Sequence, residues 1–144
     1  MQEEEKELRK EQAVAEVYPG LPERVKALIM DSVLIIVFMM LLTNIFSEFE
    51  NLPLYTKKIA FVFIFVLYDP LFTSLFGGTL GHMRMNLTVR RIENTDKKIF
   101  FPLAILRYII KFFLGWVSFL SIGSSEKNLT IHDKLSGSVV VYKE

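Results

Sequence analysis

The sequence predicts an all-α integral membrane protein. It has two transmembrane helices, a third hydrophobic segment that is amphipathic and either re-entrant or spanning, and a small cytoplasmic β element. Three observations carry this reading. Apolar residues make up 51% of the 144 positions and mean hydropathy is +0.35. Three long apolar stretches hold few of the charged residues. The 17 Lys and Arg and 16 Asp and Glu, which nearly cancel to +1, are sorted by position along the chain. That balance excludes a simple nucleic-acid-binding domain, which needs a basic excess, and the apolar content excludes a disordered chain. With no Cys, disulfide scaffolds, thiolate metal sites and thiol catalysis are excluded as well.

Residues 1–18 form a charged tail whose Glu, Lys and Arg suit a solvated helix, broken by Pro19-Gly20-Leu21-Pro22. A secretory signal peptide needs a basic start followed directly by an apolar core, so this tail is not read as one. Residues 19–144 form the membrane domain. Its first hydrophobic segment, 25–46, carries Lys26 near its start and Asp31 inside. The second, 59–76, contains Asp69 and Pro70. At about 1.5 Å per residue both can cross a hydrocarbon layer of roughly 30 Å, the second only barely. Pro70 frees a backbone carbonyl one turn earlier, which serves either to hydrate an ion or as an ordinary kink.

The third segment, 100–122, holds Arg107, Lys111, Gly115 and Ser118 at three- and four-residue spacing, on one face of a continuous helix. Such a helix lines a polar bundle interior, lies in the interface with its cations toward lipid phosphates, or enters and turns back. Periodicity does not choose among these.

Orientation follows from cations in the flanks. Residues 1–26 carry K6, R9, K10, R24 and K26, residues 47–58 only K57 and K58, and residues 77–99 carry R84, R90, R91, K97 and K98. The excess on the first and third flanks places the amino terminus and the 77–99 loop in the cytoplasm, most simply of a bacterial cytoplasmic membrane. Leu87 to Ile92 and Ser138 to Tyr142 read as strands, with Glu93-Asn94-Thr95-Asp96 as a turn. If the strands pair, the third segment returns to the side on which it started, and that return is favoured.

Charges at membrane depth are functional candidates, because each costs several kcal/mol unless paired or hydrated. Arg24 and Asp31 are two helical turns apart and share a face. Counting inward from the cytoplasmic ends, Asp31, Asp69 and Arg107 all reach a depth of roughly 10–12 Å, so two acids and a guanidinium converge. Two carboxylates and an arginine near balance fit exchange of a proton for a cation, and they equally fit an ion-paired lock that fixes helix packing.

Other features are weaker. Gly77-Gly78-Thr79-Leu80-Gly81-His82 suits a helix cap and turn, and without a following Lys-Ser/Thr it is not a nucleotide P-loop. His82 and His132, the only histidines, have no partners at metal-ligand spacing, so neither metal nor cofactor is expected. Arg84, Arg90, Arg91, Lys97 and Lys98 suit anionic lipid headgroups or act as an orientation signal alone. Asn86-Leu-Thr88 and Asn128-Leu-Thr130 fit the glycosylation sequon only weakly. The serines lack a Gly-x-Ser-x-Gly elbow, so an enzyme is not expected.

An ordered set of pieces remains: Glu23-Arg24-Val25-Lys26-Ala27-Leu28-Ile29-Met30-Asp31, Gly77-Gly78-Thr79-Leu80-Gly81-His82, Leu87-Thr88-Val89, Leu106-Arg107-Tyr108, and His132-Asp133-Lys134-Leu135-Ser136-Gly137-Ser138-Val139-Val140. In that order the chain resembles the RDD family of small integral membrane proteins, named for one arginine and two aspartates. The resemblance implies that Arg24 is the arginine, Asp31 the first aspartate and Asp133 the second, with Asp69 a local addition. His82 stands where the family usually has lysine. The resemblance further implies a membrane domain with cation/proton antiport proposed for some members and accessory roles in membrane complexes for others. The expected ion and proton residues are therefore Asp31 and Asp69, with Arg24, Arg107, Asp133 and Lys111 balancing charge. Expected partners are the bilayer, monovalent cations and protons, and a second copy or another membrane protein. The alternative is a non-transporting assembly subunit.

Overall fold

The computed structural model describes residues 1–49 and 53–143. The charged tail forms α1 (Gln2–Val17). After the Pro-Gly break, α2 (Leu21–Ser47) starts with Pro22 in its first turn, where a missing N–H costs nothing. Its 27 residues extend about 40 Å, longer than the hydrocarbon layer. The expected link between the first two segments includes residues 50–52, which lie outside the described residues. α3 (Leu54–Phe76) runs back, and its 23 residues reach about 35 Å, further than the apolar run alone implied. Phe46 meets Phe61 edge-on at 5.8 Å, joining α2 and α3 at the end away from the sheet. α3 stops at Gly77, whose φ of +83° suits glycine and lets its N–H bond the Phe72 carbonyl.

From there the same succession occurs twice. Thr79 caps the short α4 (Leu80–Arg84), Asn86 takes a left-handed φ of 55°, and β1 (Leu87–Arg91) follows. Thr130 caps the short α6 (Ile131–Leu135), Gly137 takes a φ of 60°, and β2 (Ser138–Tyr142) follows. The two runs read as strands do pair, antiparallel, with Val89 opposite Val140 at the centre. The expected turn at 93–96 is present, with the Asp96 N–H bonding the Asn94 side chain.

The sheet sits across the ends of two helices. Leu87, Val89, Val140 and Ile99 pack on Ala27 of α2 and Ala104 of α5 (Phe101–Leu114), all buried. Alanine at both contacts lets the sheet backbone approach the helices closely.

The third hydrophobic segment, left open between spanning and returning, is not one continuous helix. α5 ends at Leu114, and Gly115, at φ 47° and ψ −127°, turns the chain into a 3-10 segment, Gly115–Ser121. Only glycine adopts that conformation without strain. Residues 101–121 are long and apolar enough to cross a membrane, as are α2 and α3. Yet the segment begins and ends beside the sheet. Ile99 before it is in the sheet core, and Asn128 after it accepts from Arg24 near the start of α2. The outward faces are lipid-like: Phe113 and Leu120 are about 80% exposed, and most large side chains of α2 and α3 are uncovered. A membrane protein is the only setting in which such faces are satisfied by their solvent.

Candidate functional site

Beneath the sheet, the inner thirds of α2, α3 and α5 bring the deep charges together. The first cluster centres on Asp133, wholly buried in α6. Arg24 Nη1 donates to its Oδ2 at 2.5 Å and Arg107 Nε to its Oδ1 at 3.1 Å. Arg24 Nη2 reaches the Asn128 carbonyl at 2.9 Å, and the Asn128 side chain donates to the Tyr18 carbonyl. Asp133 also closes the capping box of its own helix with Thr130. Burial pushes the Asp133 carboxyl up, but Arg24 and then Arg107 outweigh it and hold the group well below the usual carboxylate range. One side chain therefore fixes α2, α5 and α6 at once.

A second cluster centres on Asp69 of α3. Lys111 Nζ donates to its Oδ2 at 2.7 Å, Thr73 Oγ1 to its Oδ1 at 3.2 Å, and Arg107 Nη1 stands 3.9 Å away. Arg107 is thus shared between the two acids, with Asp133 as the nearer. Arg24 Nε and Arg107 Nη1 make no hydrogen bond among the described residues. Both side chains line a cavity of about 10 Å³, space for roughly one water.

Asp31 is held differently. Its Oδ1 accepts from the Tyr68 hydroxyl at 2.9 Å and the Gly81 N–H at 2.7 Å, and its Oδ2 from the Thr79 hydroxyl at 2.5 Å. All three donors are neutral. Among the described residues, the one ionisable base within 4.0 Å is His82, through Nδ1. Burial, and next the field of Arg107, push His82 down to about 3, so it is neutral at physiological pH. Gly81 is required here for space: a Cβ would strike the Ala27 carbonyl and the Asp31 carboxylate.

Asp31 and Asp69 both line a cavity of about 210 Å³ between α2, α3, α5 and the 3-10 segment. Of the three residues expected at one depth, Asp31 and Asp69 share this cavity, while Arg107 stands 3.9 Å from Asp69 and turns its Nε to Asp133. Ser118 is not on the α5 face that the spacing predicted, because the helix breaks at Gly115. It instead bonds His132 Nδ1 at 2.6 Å and accepts the His132 N–H, wholly buried. Burial and Arg107 likewise push His132 down to about 3. The sequence reasoning missed Tyr68, Thr79 and Gly81 as partners of Asp31. Only the Thr-Leu-Gly-His string, a hydroxyl N-cap followed by glycine, hinted at them. No group of His, Asp and Glu suited to a metal ion occurs among the described residues.

Comparison with known proteins places these residues. A family profile described as the RDD family matches residues 18–137. No curated protein and no solved structure matches the chain.

Proposed function

The chain belongs to the RDD family of membrane proteins, and from that premise we propose that it exchanges monovalent cations for protons through Asp31 and Asp69. The observation that carries this reading is the contrast between the acids that share the buried interior. Asp133 has two guanidinium partners and Asp69 an ammonium, whereas Asp31 lines a cavity and is met by neutral donors. A carboxylate held by a phenol, a hydroxyl and an amide is stabilised without being neutralised. It takes up either a proton or a cation as the net charge of its surroundings requires. Asp69 then exchanges its Lys111 contact for the arriving ion, while Arg24, Arg107 and Asp133 keep the helices in register.

Three apolar segments make a thin wall for a pathway, so the transporting unit is an oligomer. By the cation count of the flanks, the amino terminus and the sheet face the cytoplasm of a bacterial membrane, where the exposed cations meet anionic headgroups. The test is alkali-cation-driven proton movement in liposomes holding the pure protein, compared with Asp31→Asn and Asp69→Asn. Movement lost in Asp31→Asn and reduced in Asp69→Asn supports the site, and movement unaffected by both removes it.

The Asp133 cluster favours a second reading, a non-transporting subunit that stabilises other membrane proteins. Its charges are fully committed to joining helices. A folded, correctly inserted protein that moves no protons under any cation gradient favours that reading. Neither reading involves catalysis.

A further inference from the structure

The cavity at Asp31 has walls with more apolar surface than a monovalent cation by itself requires. Six aromatic residues line it: Phe65, Tyr68, Tyr108, Phe112, Trp116 and Phe119. Its buried polar groups are Asp31, bonded to Tyr68, and Asp69, bonded to Lys111, while the hydroxyls of Ser32 and Tyr108 lie in exposed hydrogen bonds. Phe65, Phe112 and Trp116 are 41%, 62% and 66% exposed, and all three belong to segments apolar and long enough to lie in the membrane. The mouth of the cavity is therefore aromatic and opens sideways onto lipid. A strongly hydrated ion gains nothing from that entrance. An amphiphile already dissolved in the bilayer does, because its apolar part stays in apolar surroundings throughout entry.

Size and charge narrow the occupant. An apolar cavity of about 150 Å³ accepts benzene, so about 210 Å³ accommodates a ring with a small charged head. Asp31, which has no Lys or Arg partner among the described residues, selects a positive head, and the aromatic rings of Tyr68, Tyr108 and Trp116 in the lining are of the kind that attract a cation. An anionic amphiphile would bring its charge against Asp31 and Asp69, and the one ammonium in the lining, Lys111, is already paired with Asp69. A neutral one would leave Asp31 as it is and gain only from the walls.

We propose that this cavity binds an amphiphilic organic ammonium ion entering from the lipid, with its cationic head beside Asp31 and its apolar body among the aromatic rings. The proposal rests on the reading of Asp31 as the cation site and names the class of cation. The occupant is a protonated or quaternary amine bearing one group of aromatic size.

The chain carries a single tryptophan, and it lines this cavity, so its fluorescence reports occupancy directly. The experiment titrates purified full-length protein in zwitterionic nanodiscs with benzyltrimethylammonium and, separately, with its neutral isostere neopentylbenzene. The expected result is a saturable fluorescence change with the ammonium, at least tenfold stronger than with the isostere. Asp31→Asn should weaken it by about tenfold. Because Asp31 also supports packing, Phe112→Leu at the exposed mouth is the second variant, expected to weaken binding by about fivefold with unchanged melting. Equal response to the neutral isostere, no saturable response, or binding unaltered by Phe112→Leu overturns the proposal. Binding of the ammonium without alkali-driven proton movement sinks the exchange reading and leaves this one standing. Proton movement without ammonium binding does the reverse.

Discussion

Arg24 and Asp133, 109 positions apart in the chain, meet at 2.5 Å in the buried interior, and Arg107 shares the same carboxylate. Removing the carboxylate strands two guanidinium groups at once. Asp133→Asn should therefore destabilise the protein by about 3–5 kcal/mol, more than replacement of either arginine alone. Thermal unfolding in detergent checks this, and a double-mutant cycle with Arg24→Met should return a coupling well above about 1 kcal/mol. Independent, additive effects would mean that the pair contributes little.

Two glycines should fail for different reasons. Gly81→Ala brings a methyl group against the Ala27 carbonyl and the Asp31 carboxylate, and overpacking of that kind costs about 1–3 kcal/mol. Gly137 has open space around it but a φ of +60°. There Gly137→Ala should cost about 1–2 kcal/mol from backbone conformation alone, and Gly137→Asn less, since Asn86 occupies the corresponding left-handed position before β1. Melting temperatures of the three variants separate crowding from strain.

Acid should loosen the protein before it reaches the carboxylates. Both histidines are held neutral by burial and by the neighbouring Arg107, at about 3. Their folded values lie below the unfolded value near 6.5, so their contribution is complete above that pH and is lost as pH falls from there toward 3. Asp133, held well below its ordinary range, adds to the loss only below about pH 4. The melting temperature should fall by several degrees, on the order of 1 kcal/mol or more, between pH 7.5 and 5, and His132→Gln should flatten that slope. A slope unchanged in both His132→Gln and His82→Gln would assign it elsewhere.

The absence of cysteine makes sidedness directly measurable by single-cysteine labelling. Gln2, Asp96 and Lys127 are exposed and lie at the sheet end of the molecule or on the tail that leads into it, whereas Phe49 follows the far end of α2. Gln2→Cys, Asp96→Cys and Lys127→Cys should react from one side of the membrane, and Phe49→Cys from the other. Labelling of Lys127→Cys from the Phe49 side would mean that residues 101–121 span the membrane.

The parts of this architecture legible in the sequence are those decided locally. A run of β-branched residues marks Ser138 to Tyr142, the Gly77-Gly78 pair marks the end of α3, and the apolar runs mark the membrane segments. Helical spacing estimates the depths of Asp31, Asp69 and Arg107 because rise per residue is nearly constant. Depth says nothing of azimuth, however. That is why the preference of Arg107 for Asp133, 3.1 Å away against 3.9 Å for Asp69, was not evident. The Asp133 partnership itself came from family likeness. The break at Gly115 was hidden because its neighbours stay apolar on both sides. The neutral cradle of Asp31 was hidden because its donors come from 37, 48 and 50 positions away.

The long reach from Arg24 to Asp133 also sets an order of events in the cell. Translation runs at about 5–20 residues per second, so roughly 5–20 seconds separate the making of the arginine from the making of its counter-ion. During that interval α2 is already available for insertion, with its arginine open to water or phosphate. The bolt that ties α2 to α6 is thrown only after all three apolar segments have been made. A nascent chain arrested before Asp133 would display an uncovered arginine and an unpartnered strand, the two features that distinguish the unfinished protein from the finished one.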